Sequence, residues 1–241
     1  AVQWVGREDW AFERVFEVDA AFLEGGMIAL DCESLDTIAE VTVNGHRAGR
    51  ADNAFVRWRF DVKPHLRTGR NSIRIIFHSS EKAAEAAAAK LPYPIPHVQY
   101  PVQSPHRNLV RKVQCHSGWD WGPCLMVAGI PRGIGIVSLD FARIEHVYTE
   151  QRHTASACRV KVTVEVLAAR DGPAALTVRL GEQETRLELE LPRGASTASV
   201  DLAVDHPRLW WPNGYGEQPL YALLVTLDGH EVRKSLGLRT L

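Results

Sequence analysis

The 241-residue chain lacks two features that would each indicate a class of binding partner. It has no excess of charge of one sign, because 28 basic and 29 acidic residues leave a formal net charge of −1. Proteins that bind nucleic acid usually carry a clear basic excess, so we expect no nucleic-acid partner. No apolar run approaches the roughly 20 residues that a bilayer-spanning helix needs, so we also expect no membrane partner.

Cysteine is scarce, and its spacing argues against a disulfide scaffold. The four cysteines form no Cys-x-x-Cys pair. Cys115, His116 and Cys124 are candidate metal ligands by residue type, but their spacing matches no structural zinc pattern. The sequence therefore implies no metal and no cofactor. It also contains no Gly-x-Ser-x-Gly and no Walker motif, so neither serine-hydrolase chemistry nor phosphate binding is expected.

The first half of the chain has the alternation of apolar and polar residues that is typical of β-strands. The dipeptide Asn44-Gly45 directly follows an apolar run and predicts a tight hairpin turn. The strands predicted in this half span residues 10–18, 27–32, 38–43, 55–62, 71–77, 125–127 and 134–141.

One segment of the first half is helical by composition, and a long irregular segment follows it. Residues 81–90 read EKAAEAAAAK and have very high helix propensity. Pro92, Pro94 and Pro96 then forbid a continuing helix. Residues 91–123 are rich in Pro, His, Trp and Arg and lack periodicity. Loops this long in a compact domain are usually functional or disordered, and this one is too aromatic to be disordered.

The second half of the chain consists of evenly spaced strands. Turn residues separate them at intervals near ten, which is typical of an immunoglobulin-like sandwich, although the Cys…Trp…Cys signature of antibody domains is missing. We place a domain boundary near Ala142, which gives two domains, 1–141 and 142–241. The strands predicted in this half span residues 159–166, 176–180, 187–191, 200–204 and 220–227.

Residues 116–123, HSGWDWGP, carry the most suggestive chemistry. The apolar face of a pyranose can lie against the indole of Trp119 or Trp121, and the Asp120 carboxylate can accept hydrogen bonds from two neighbouring hydroxyls. These three residues are our candidate substrate-binding residues. Composition alone favours the alternative in which both tryptophans pack in a core and Asp120 caps a turn.

Two further polar or aromatic clusters admit a functional and a structural interpretation. Residues 105–108 (PHRN), with Arg111 and Lys112 beyond them, form either a polar pocket wall or a solvated basic segment, and the second is favoured. Residues 209–221, LWWPNGYGEQPLY, are interpreted as a tight turn between strands, packed by Trp210 and Trp211.

Several of these motifs, with others along the chain, resemble the β-mannosidases of glycoside hydrolase family 2, and the resemblance covers essentially the whole length of the chain. DTIAEVTVNG (36–45), DNAFVRWRFDV (52–62) and the closing GLRT (237–240) are shared across the wider family. LPYPIP (91–96) and QSPHRNLVRKVQCHSGWDWGP (103–123) indicate the mannosidase branch more specifically.

The resemblance implies a fold and a role for the site. It implies an all-β chain, with a jelly-roll-like (galactose-binding-type) β-sandwich followed by an immunoglobulin-like β-sandwich, and a TIM barrel beyond them. In such enzymes the Trp-Asp-Trp stretch reaches toward the terminal mannose of an oligosaccharide. Carried over, this implicates Trp119 and Asp120 in substrate contact, with Trp121 beside them.

The departure from the family pattern concerns catalysis. Retaining glycosidases need two carboxylates, and the family's acid/base glutamate lies in an Asn-Glu dipeptide that this sequence does not contain. A TIM barrel takes about 250 residues. We therefore expect a piece of a larger retaining β-mannosidase, clipped at both ends, without catalytic residues and inactive alone. Three alternatives stay open: a free-standing carbohydrate-binding module, a purely structural or interaction sandwich, and the same domains from a galactosidase or glucuronidase of the family.

Overall fold

The computed structural model describes residues 2–97 and 104–240 of the chain. The chain divides into two compact units, Ala1–Ser138 and Leu139–Leu241. Gln103, with which the mannosidase-like motif begins, lies outside the described residues. In the part of the chain that is described, no helix is long and apolar enough to cross a membrane.

The described residues of the first unit form seven strands in two sheets, ordered β1-β6-β3-β4 and β5-β2-β7. Two α-helices lie outside these sheets. The elements are β1 (Trp10–Val18), α1 (Ala20–Leu23), β2 (Met27–Cys32), β3 (Ile38–Val43), β4 (His46–Ala51), β5 (Trp58–Asp61), β6 (Gly69–His78), α2 (Ser80–Ala88) and β7 (Ile134–Leu139).

Alternating burial along the strands builds one core between these two sheets. In β3, Ala39, Val41 and Val43 point into the core, while the residues between them are only half-buried. Phe77 of β6 is fully buried in the same cluster. The predicted hairpin is confirmed: Asn44 and Gly45 both adopt positive φ and connect β3 to β4.

Helix α2 forms where its composition predicts a helix. The Ser79 hydroxyl caps its N-terminus by accepting a hydrogen bond from the backbone N–H of Lys82. Arg7 forms ion pairs with Glu81 and Glu85 on this helix, and thereby ties the N-terminal 3₁₀ turn to it. The predicted strand 55–62 was too long, because only Trp58–Asp61 pairs, with β2.

The second unit is also built from two antiparallel sheets, ordered β11-β10-β13-β14 and β12-β9-β8. Among the described residues, its core is formed by eighteen buried apolar residues of the two sheets together with Leu238, which follows the last strand. The strands are β8 (Ala142–His153), β9 (Ala157–Ala168), β10 (Gly172–Leu180), β11 (Gln183–Leu191), β12 (Gly194–Asp205), β13 (Tyr221–Leu227) and β14 (His230–Leu236).

The aromatic segment between β12 and β13 is held by a contact with the C-terminal residues and by one of its own. The backbone N–H of Trp210 donates to the carbonyl of Leu238, and the Trp211 ring lies so close to Gly216 that a side chain there would clash. Both units are therefore sandwiches of strands, and the predicted all-β fold class is confirmed. Residues 125–127, which we predicted as a strand, are irregular.

Candidate functional site

The candidate residues lie in an irregular segment of the first unit, described from residue 104 to residue 133. It contains two short 3₁₀ turns, Arg107–Leu109 and Gln114–Ser117. The segment touches the sheet region beside residues 53–54, because the backbone N–H of Ala54 donates to the carbonyl of Arg111 at 2.9 Å. Its structure is therefore set by specific contacts and not by a strand or helix ladder.

Trp119, Asp120, Trp121 and Gly122 form a tight turn. The backbone N–H of Gly122 donates to the carbonyl of Trp119 at 3.2 Å. Gly118 enters the turn with φ of +117°, a backbone conformation that residues with a β-carbon rarely adopt. The N–H of Leu125 then donates to the carbonyl of His116 at 2.9 Å, which closes the loop beneath the turn.

The three candidate side chains all lie on the protein surface. Trp119 is 60% exposed and Trp121 is 96% exposed. The Asp120 carboxylate is exposed and has no hydrogen-bond or ion-pair partner among the described residues. The alternative favoured by composition is therefore wrong, because the tryptophans are not core aromatics and Asp120 does not cap the turn. Two large apolar rings and a free carboxylate instead face solvent.

A buried ion pair lies at the base of the loop that carries this turn. The Nζ atom of Lys112 donates to Oδ2 of Asp36 at 2.6 Å and to the carbonyl oxygen of Val127 at 2.6 Å. The two charged side chains are only 2% and 8% exposed. We expected Lys112 to belong to a solvated basic segment, and this expectation is wrong because its side chain is buried. Its neighbour Arg111 is exposed. A buried ammonium persists only when it is paired and hydrogen-bonded.

Burial around the ion pair favours the neutral form of two side chains, Lys112 and His116. Burial lowers the pKa of the Lys112 ammonium from its ordinary value, and the Asp36 carboxylate opposes that shift. Burial also lowers the pKa of the His116 imidazole, and the nearby Lys112 charge adds to the effect. The Nδ1 atom of His116 lies 3.8 Å from Oδ2 of Asp36 and has no hydrogen-bond partner in the described structure.

The sequence did not identify the residues that support the turn. Asp36 stands 76 positions before Lys112, and nothing in either local pattern links them. A usable signal was present only for Asp36, which is a carboxylate two residues before a predicted strand. Ser117, whose hydroxyl donates to the Gln114 carbonyl at 2.8 Å, is likewise buried without a sequence signal.

The candidate metal ligands do not form a cluster. Cys115 is exposed while Cys124 is buried, although they flank the same loop. Within residues 2–97 and 104–240, no group of three or more His, Cys, Asp or Glu side chains is arranged to hold a metal ion.

Truncating the outermost tryptophan is expected to leave the fold intact. Trp121→Ala removes a ring that is almost wholly in solvent, so the free energy of unfolding should change by no more than about 0.5 kcal/mol. Urea denaturation followed by circular dichroism measures this change. A loss above about 2 kcal/mol would mean that the ring packs against the protein.

The two units match two parts of one enzyme family. Residues 1–132 match the family described as glycosyl hydrolase 2 galactose-binding domain-like, and residues 142–239 match the family described as glycosyl hydrolases family 2.

Similar proteins include known glycosidases. Beta-mannosidase B of Aspergillus fumigatus is 35% identical over 250 residues, which cover 99% of this chain and 29% of that protein. The crystal structure of the beta-D-mannosidase of Dictyoglomus thermophilum superposes with a TM-score of 0.90 at 32% identity, over 99% of this chain and 30% of that one.

A more distant structure shares the fold alone. The putative beta-galactosidase of Bacteroides fragilis superposes with a TM-score of 0.68 at 20% identity, over 97% of this chain and 33% of that one. The chain thus spans about three tenths of the length of the mannosidases that it matches. It has the galactose-binding-like and immunoglobulin-like β-sandwiches that the resemblance implied. The chain belongs to glycosyl hydrolase family 2.

Proposed function

We propose that this chain is the non-catalytic N-terminal part of a retaining β-mannosidase that removes terminal, non-reducing β-D-mannose from oligosaccharides. The domain at 1–141 contributes one wall of the substrate pocket, and both it and the domain at 142–241 act as a scaffold for a C-terminal TIM barrel. Two relatives that cover the whole chain at 32–35% identity are named as mannosidases, which supports mannose over other sugars.

The exposed turn at Trp119–Asp120–Trp121 is the observation that carries this proposal. Its two indoles offer flat apolar surfaces on which the C–H face of a pyranose can stack. The Asp120 carboxylate has unused acceptor capacity, and a charge-assisted hydrogen bond to a hydroxyl is stronger than a neutral one. A site built to bond hydroxyl groups rejects sugars that lack them in the right place.

The same site holds too few carboxylates for catalysis. Retaining hydrolysis requires two carboxyl groups about 5–5.5 Å apart, one of them the nucleophile. Asp120 is the only acidic residue between positions 104 and 139. The carboxylate at the base of the loop, Asp36, is committed to the buried Lys112 ammonium. Asp120 therefore serves to bind sugar, and the catalytic pair must come from elsewhere in the enzyme.

The isolated chain is expected to release no 4-nitrophenol from 4-nitrophenyl β-D-mannopyranoside above the buffer background. The physical reason is the missing pair of carboxylates. A colorimetric assay at high protein concentration measures the rate, with Asp120→Ala as the matched variant. Turnover by the purified chain that disappears in Asp120→Ala would contradict the proposal, because it would place a catalytic group in the turn.

A glycan titration separates this proposal from a free-standing carbohydrate-binding module. One wall of a pocket binds a β-mannoside weakly, since most of the sugar surface stays in water. Calorimetric titration with mannobiose should therefore give no micromolar affinity. Micromolar binding that is lost in Trp119→Ala would favour the module instead.

A further inference from the structure

The ammonium of Lys112 joins the two ends of the loop that carries the exposed turn. Lys112 directly precedes residues 113–126, and Val127 directly follows them. The Nζ atom of Lys112 donates to the carbonyl oxygen of Val127 at 2.6 Å. A single buried group therefore closes the base of a 14-residue loop that has Trp119–Asp120–Trp121 at its exposed turn.

Asp36 connects this closure to the core of the first unit. Its Oδ2 atom accepts the second hydrogen bond of the Lys112 ammonium, and its other carboxylate oxygen accepts from the hydroxyl of Thr37. Its backbone exchanges two hydrogen bonds of 2.9 Å with Gly129, just beyond the loop. β3 begins two residues after Asp36 with buried core positions. The loop base is therefore fastened to a rigid strand.

Above its base, the loop is held by a small number of contacts. Within the described residues, its backbone bonds are those from Gly122 to Trp119, from Leu125 to His116 and from Val127 to Leu125, together with the 3₁₀ turn before Gly118. The Arg107 guanidinium also donates to the carbonyls of Gln114 and Gly118, both at 3.5 Å. The exposed rings contribute little packing. A loop of this length that is closed at its base has far fewer conformations than one that is open.

We propose that Lys112 is a positioning residue that sets the orientation of the Trp119–Asp120–Trp121 turn through the base of the loop. The inference rests on the proposed function, since it is the contact with sugar that requires two rings and a carboxylate in a fixed arrangement. Within the described residues, the Lys112 ammonium donates to Val127 and Asp36 and to none of the three residues of the turn, so its effect on them passes through the base of the loop.

Two measurements on Lys112→Met test the proposal without any sugar. Amide hydrogen exchange at Leu125 reports closure of the loop, and we expect it to accelerate by about tenfold or more while exchange at Val41 in β3 changes far less. In protein labelled with 5-fluorotryptophan, the fluorine resonance of Trp119, whose ring is 60% exposed, should move toward that of the free amino acid, whereas Trp121 is already almost wholly in solvent. The resonances of Trp210 and Trp211 in the second unit should stay in place.

A matched control and a second variant keep the test decisive. Lys90→Met removes an exposed lysine from the same unit and should change neither measurement. Asp36→Asn/Lys112→Met removes both charges, so it is expected to fold even where the single variant does not. It still lacks the bond to Val127, and the exchange of its Leu125 amide and the resonance of its Trp119 should remain altered.

The outcomes separate this inference from the proposed function. Wild-type exchange and wild-type tryptophan resonances in the folded double variant would overturn the positioning role. A double variant that does not fold would also overturn it, because the role predicts that the neutral pair supports the fold. If the loop behaves as expected but Trp119→Ala and Asp120→Ala leave mannoside processing by the complete enzyme unchanged, the proposed function fails and the positioning of the loop stands.

Discussion

Replacing Lys112 by methionine is expected to lower the free energy of unfolding of the first unit by about 3–5 kcal/mol. Methionine fills nearly the same volume, so the loss is electrostatic. The Asp36 carboxylate, only 8% exposed, is left without its cation, and the Val127 carbonyl loses its donor. An uncompensated buried charge is among the few single changes that destabilise a protein this strongly. Urea denaturation of the wild type and the variant measures the difference.

Two companion variants show whether the buried charge is the cause. Lys90→Met deletes an exposed lysine, and its effect should stay within about 0.5 kcal/mol. Asp36→Asn/Lys112→Met should recover part of the lost stability, because neither partner is then left charged and unpaired. A single variant that loses less than about 1 kcal/mol would contradict the burial of this pair.

Phe77→Ala is expected to destabilise the first unit by about 3–5 kcal/mol. Phe77 is fully buried in β6, among the aliphatic side chains that the two sheets of the unit share. It also makes an edge-to-face contact with Phe12 of β1, with ring centroids 5.5 Å apart. Truncation removes the transfer free energy of the ring and leaves a cavity that the surrounding strands cannot fill completely. Thermal and urea unfolding both measure the loss.

The first unit provides its own control for the Phe77 variant. Phe55→Ala is the same substitution at an exposed position on the loop before β5, so its effect should stay within about 0.5 kcal/mol. Equal losses from the two substitutions would contradict the alternation of buried and exposed positions in this unit, since only Phe77 lies between the sheets.

The strand pattern was predictable wherever pairing is regular. Strands β1, β2 and β3 have the bounds that the sequence predicted, and all three pair along their length in regular ladders or flank one. Burial alternates residue by residue only in β3, because β2 has three consecutive buried residues and β1 is mostly exposed. The Asn44-Gly45 hairpin was predictable because the chemistry of its two residues selects the turn. These features depend on residues that are adjacent in the chain, so a single sequence is enough to predict them.

Strand predictions were less accurate where the pairing partner decides the structure. Residues 125–127 alternate exposed and buried like a strand, but the N–H of Leu125 and the carbonyl of Val127 bond to His116 and Lys112. β8 was not predicted, because a register shift between Ile144 and His146 breaks its alternation. Alternation reports which face of the chain is buried and carries no information about the bonding partner.

The sequence by itself determined the class of this protein: alternating strands, a helix over residues 81–90 and motifs that place it in glycosyl hydrolase family 2. Only the tertiary structure decided that Trp119 and Trp121 face solvent, since an aromatic pair suits a core and a binding surface equally well. Only the tertiary structure paired Lys112 with Asp36. Contacts between positions so far apart in the chain depend on how the whole chain folds, and the types of the two residues do not reveal that they meet.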